Sequence, residues 1–162
     1  MYLEKWKDTS FGTDYGNDFL EFIEEINSSP ITMLDIYQQC DLKKYFDQPD
    51  LILQRRDNNV YLGNPGFDLF VHYEDAVISL SAVIVESELC GEADLTEAYG
   101  NETVSFQVSK QELETIKSSL HFIYNNPDKF VLFEMCAADE KDEVLNHLSE
   151  MLDQLQVCID KK

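Results

Sequence analysis

The side chains that most often carry chemistry are scattered along this chain. His72, His121 and His147 lie far apart, none beside a cysteine or a second histidine at ligand spacing, and Cys40, Cys90, Cys136 and Cys158 form no C-x2-C pair. A protein zinc site is built from such short-range pairs, so no metal is expected. Glycine-rich phosphate loops, a G-x-S-x-G elbow and a D-x-[DN]-x-[DN]-G calcium loop are absent from the sequence, and no cofactor is expected. Asp94-Leu95-Thr96-Glu97 lacks the glycine and the closing glutamate that a calcium loop requires. Asp68, His72 and Glu74 would share one face of a strand, and at the wall of a deep pocket they would suit acid-base work. The simpler reading of His72, pointing away from Val71 and Tyr73, is a hydrogen-bonded surface or interface histidine. Isolated free cysteines beside apolar residues behave as small hydrophobes, which fits a reducing, cytoplasmic setting.

Carboxylates are the one abundant group. The 162 residues hold 32 Asp and Glu against 12 Lys and Arg, a formal charge of −20. Such a polyanion gains nothing from counterion release on a nucleic acid and is repelled by anionic lipid, so direct nucleic-acid and membrane partners are disfavoured and a basic protein partner is expected. The charge is also uneven. From Asp57 to Ser109, 53 residues contain ten acids and no Lys or Arg. Solvated turns would account for part of this, but like charge without local relief destabilises a compact chain while steering a basic partner toward it. Within that segment Glu86, Glu88, Glu92, Asp94 and Glu97 crowd beside Tyr99, joining steering charge to an aromatic anchor. These six are the candidate partner-binding residues, with Asp139 to Glu143 as the next acidic cluster to consider.

The elements that must hold them follow from periodicity. Phe19, Leu20, Ile23 and Ile26 recur at helical spacing, with Glu21, Glu24 and Glu25 on the other face, and the segment closes at Ser28-Ser29-Pro30. Thr32 can cap a second helix running to about Phe46. Strands are expected at Leu51 to Gln54, Val60 to Leu62, Phe67 to Tyr73, the β-branched run Val77 to Val85, Thr103 to Val108 and Phe130 to Met135. Met1 to Thr13 suits a short strand or an irregular docking segment, and Glu86 to Glu102 an irregular acidic loop. Ser109 with Glu112 forms a capping box that opens a helix stopped at Asn125-Asn126-Pro127, and Ala138 to Val157 carries a last helical stripe. The order predicts a single α+β domain over residues 1–162, with a largely antiparallel sheet and N-terminal and C-terminal helices packed on it. No signal peptide or apolar membrane span is expected, since acids begin at Glu4 and the longest apolar run is broken by Ser79 and Ser81.

In whole-chain character the sequence resembles the bacterial immunity proteins that neutralise the C-terminal nuclease domains of contact-dependent growth inhibition and related polymorphic toxins. The resemblance rests on small size, strong acidity and the absence of catalytic motifs, and it carries over no individual residue. It implies a non-enzymatic inhibitor whose carboxylates occupy a basic nuclease cleft in place of phosphates, or which holds the toxin inactive from an adjacent surface. Two other readings stay open: a nucleic-acid mimic acting on a DNA-binding protein, which calls for an exposed ladder of carboxylates, and a small enzyme or adaptor with an acidic surface.

Overall fold

A computed structural model describes residues 2–7, 13–26, 28–54, 57–63, 69–134 and 136–162. Its centre is a helix. Tyr73–Cys90 (here α5) follows directly on a short strand, and Tyr73 to Ser87 are all buried. A helix that is apolar on every side must be packed on every side. The packing is supplied by helices α1 (Tyr2–Trp6), α2 (Asp14–Glu25), α6 (Lys110–Asn125) and α8 (Ala138–Asp160). Two of its serine hydroxyls find partners, the Ser81 hydroxyl donating to the Val77 carbonyl at 2.7 Å and Ser87 Oγ accepting from the Phe106 N–H at 2.9 Å, while the Ser79 hydroxyl is buried without one.

The expected sheet is therefore not formed. Val77 to Val85, read as a central strand, is the middle of α5. Short apolar runs do not distinguish a buried strand from a buried helix, and here burial on all sides overrides the β-branched preference. Phe130 to Met135, also expected as a strand, begins with the short helix α7 (Val131–Glu134), while Met135 lies outside the described residues. Leu51 to Gln54 belongs to a 3-10 turn, Pro49–Gln54. The N-terminal segment is helical over Tyr2–Trp6, with Leu3 and Trp6 fully buried against the core; Phe11 lies outside the described residues.

Among the described residues, β structure is confined to three two-stranded pairs and one isolated bridge. Strand β1 (Ile31–Thr32) runs parallel to β6 (Phe106–Gln107), β2 (Asn59–Tyr61) antiparallel to β3 (Phe70–His72), and β4 (Ala93–Asp94) antiparallel to β5 (Thr103–Val104). The fold is helix-dominated α+β. The helical signals at both ends of the chain hold: Thr13 caps α2, Thr32 and Asp35 form a reciprocal capping box on α3 (Met33–Gln39), and Ser109 with Glu112 does the same on α6. The second expected helix is split at Cys40, which bridges to Leu62, before α4 (Lys43–Asp47) resumes it.

Candidate functional site

The buried stripe of α2, made by Phe19, Leu20 and Ile23, fixes what the helix turns outward. Asp14, Asp18, Glu21 and Glu25 stand at i, i+4, i+7 and i+11, so they fall on one side, one above another, at intervals of about 5 to 6 Å along the axis. No ion pair joins any of the four to a base among the described residues. Partial burial, then the neighbouring Glu21 and Asp14 charges, hold the Asp18 carboxyl above its ordinary value. Glu24 is turned elsewhere, its Oε1 accepting from the Asn101 N–H at 2.7 Å.

Beside this ladder lies a cleft of about 400 Å³. Asp18, Glu21 and Glu25 form one wall, Gln39 and Gly63 another, and Phe22, Leu62 and Leu69 supply apolar surface. The hairpin β2–β3 carries the rest of the face. Tyr15 of α2 stacks on Phe70 with ring centres 5.8 Å apart and meets His72 edge-on at 4.3 Å, while Tyr61 packs edge-on against Phe70 at 6.2 Å. Tyr61 and Leu69 stay 42% and 48% exposed. Carboxylates rimming exposed aromatic and aliphatic anchors is the pattern of a protein-binding surface.

At the N-terminal end of α2 a second cavity, about 380 Å³, is lined by Thr13, Asp14, Tyr15, His72, Asp75, Val131, Leu132 and Cys136. The chain leaves β3 at His72 and enters α5, which buries Glu74 and Asp75 in the first helical turn. The Thr13 hydroxyl donates to Asp75 Oδ1 at 3.0 Å, and the Leu132 N–H donates to Glu74 Oε2 at 3.1 Å. Burial, reinforced by Glu74, pushes the Asp75 carboxyl up to about 7, and burial likewise raises Glu74. The strand spacing expected for Asp68, His72 and Glu74 is not realised, because Glu74 stands on a helix; Asp68 lies outside the described residues. His72 and Asp75 are the pair that share a cavity.

The six residues singled out from the sequence do not form one loop surface. Glu86 is in α5 and only 4% exposed, so it is withdrawn from solvent. Glu88, on the same helix, pairs with Lys162 at 3.2 Å. Glu92 is exposed just past the left-handed Gly91 that ends α5. Asp94 caps a 3-10 turn, Leu95–Ala98, through Thr96, and those hydrogen bonds hold its carboxyl below the usual range. Glu97 is half-buried in that turn, and Tyr99 is half-exposed under the Lys7 ammonium, 4.4 Å from its ring centre. Asp139, Glu140, Asp142 and Glu143 are exposed on the opening turns of α8. The α2 ladder was legible as four acids at helical spacing without an intervening base, a signal outweighed by the longer base-free segment.

Among the described residues no three His, Cys, Asp or Glu side chains are grouped to hold a metal ion, and no helix is long and apolar enough to cross a membrane. No curated protein and no solved structure matches the chain. The family model described as Immunity protein 68 matches residues 2–155, nearly the whole length that supplies the core, the α2 ladder and both cavities, and the chain belongs to that family of immunity proteins.

Proposed function

We propose that this chain is a cytoplasmic immunity protein that binds and neutralises a basic toxin domain, a nuclease, by stoichiometric occlusion rather than catalysis. One observation carries the reading: the unpaired carboxylate ladder Asp14, Asp18, Glu21 and Glu25 beside the exposed Tyr61 and Leu69. A nuclease cleft is shaped to take regularly spaced phosphates, and a helix presenting carboxylates every turn offers it comparable spacing of charge. The hairpin aromatics then contribute the desolvated contacts that long-range charge lacks.

The triple variant D18N/E21Q/E25Q tests this. All three side chains lie at the surface, so the fold should persist in circular dichroism. Affinity for the cognate toxin should drop at least ~10-fold, since losing one desolvated charge contact costs roughly 2 kcal/mol or more. Protection of cells expressing that toxin should be lost in parallel. Unchanged affinity and protection would move the interface off α2.

A second reading places the interface at Glu92, Asp94, Glu97 and Tyr99. It is favoured by Tyr99, a 50% exposed aromatic held at φ 67°, a left-handed conformation that non-glycine residues seldom adopt without reason. In that case E92Q/D94N/E97Q, and not the α2 variant, would abolish binding.

A further inference from the structure

The cavity at the N-terminal end of α2 has a buried carboxylate, Asp75, in its wall, and Glu74 lies behind it in the same helical turn, outside the lining. Asp75 is 3% exposed and lines the cavity, and the Thr13 hydroxyl is its hydrogen-bond partner. Glu74, fully buried in the same turn, has Oε1 without a partner. His72 Nδ1, also in the cavity wall, is buried and unpartnered. Among the described residues no Lys or Arg forms an ion pair with Asp75 or Glu74. Among the described residues, the groups facing Asp75 are Thr13, Asp14 and Tyr15 from α2 and its cap, His72 from β3, Glu74 from its own helix, and Leu132 and Cys136 from α7 and the turn after it. None of these side chains is a permanent cation. Buried acceptors without donors are costly, more so when charged.

Resting on the toxin-binding reading, we infer that this cavity is the receptor for one arginine side chain of the toxin. The charge required is positive and organic, because the described residues offer no three-ligand metal cluster. A guanidinium brings five N–H donors in a planar fork and is less tightly hydrated than an ammonium, which suits a buried carboxylate and an imidazole nitrogen in the wall of one cavity. The apolar wall of Val131 and Leu132 matches the aliphatic stem. Asp14 belongs both to the cavity and to the carboxylate ladder, so the ladder leads an approaching basic surface to the mouth. An arginine seated in a preformed pocket at an interface is a frequent hot spot.

The test uses the isolated protein with Nα-acetyl-arginine N-methylamide and its citrulline counterpart, which has nearly the same shape and no charge. Carboxyl and amide NMR should show the arginine compound perturbing Tyr15, His72 and Asp75 and lowering the pH at which Asp75 titrates, with citrulline at least ~10-fold weaker. D75N, which keeps an acceptor for Thr13, should weaken the arginine response by a similar factor and reduce toxin affinity. The inference falls if the two compounds act alike, if nothing shifts at about 50 mM probe, well above the millimolar Kd expected of one side chain, or if shifts are confined to Asp18, Glu21 and Glu25. It falls equally if the probe binds but D75N leaves toxin affinity unchanged. Failure of the probe with D18N/E21Q/E25Q still abolishing toxin binding would remove the cavity assignment and leave the toxin-binding reading standing.

Discussion

Asp75 concentrates the tension between folding and charge in a single side chain. Its ordinary carboxyl value is 3.8, and burial beside Glu74 raises it to about 7, so the folded state holds a proton that the unfolded state has released. The unfolded chain therefore binds fewer protons between those limits, and the contribution of Asp75 to stability is full below the lower one and falls as pH rises toward the upper. In D75N the side chain is neutral at every pH. Urea denaturation should show the variant gaining on the parent by about 2 to 3 kcal/mol between pH 5 and pH 8, at ~1.36 kcal/mol per unit of pH across the window. A constant difference between the two proteins over that range would mean that Asp75 titrates normally. In the arginine-receptor reading, the same carboxylate that costs stability in the free protein becomes the counter-charge of the bound one.

At the scale of elements, the acidic corner after α5 is held by close approach as much as by hydrogen bonds. The Gly100 N–H donates to the Leu95 carbonyl at 2.8 Å, and the neighbouring Asn101 N–H is taken by Glu24 of α2. A Cβ on Gly100 would lie 2.6 Å from Leu95 Cβ and 2.8 Å from its carbonyl oxygen, and would also meet the Glu24 carboxylate. Backbone cannot yield as a side-chain tip can. Gly100→Ala should thus cost about 1 to 3 kcal/mol in chemical denaturation, in the range of overpacked cores, and should loosen Glu24 along with the turn. A cost below ~0.5 kcal/mol would show that the 3-10 turn moves freely from α2. The coupling matters because Glu24 stands on the same helix as the proposed ladder, and the turn carries the alternative interface.

For the whole molecule the dominant fact is the −20 charge, with the five acids and no base of α2 forming one of its densest parts. The field of such a surface extends about a Debye length, ~10 Å at 0.1 M salt and ~3 Å at 1 M, so it acts on encounter before contact. Association with the toxin should be fast at low salt and slow at least ~10-fold on raising salt from about 0.05 M to 0.5 M, while dissociation changes little. Stopped-flow kinetics at several salt concentrations would measure it. An association rate indifferent to salt would remove steering from the account and leave only the desolvated contacts at the hairpin and cavity.

Local signals in the sequence determined the parts whose physics is local. The caps at Thr32 and Ser109, the stop at Asn126-Pro127 and the apolar stripes of α2, α6 and α8 could all be read from spacing, because each depends on neighbours a few residues away, whereas the partner of Val60, the strand ending at His72, could not. The acidity and the family-like character were legible for the same reason, being sums over residues. Only the tertiary structure decided the state of Val77 to Val85. That run has the β-branched composition of a strand, and it is a helix because α1, α2, α6 and α8 surround it and leave no edge for a sheet. The candidate site followed from this. Winding Tyr73 onward into α5 buried Asp75 and Glu74 at its start and Glu86 near its end. The acid that sequence spacing assigned to a loop was thereby withdrawn, and Asp75, the buried carboxylate left facing a cavity, was one that no periodicity marked.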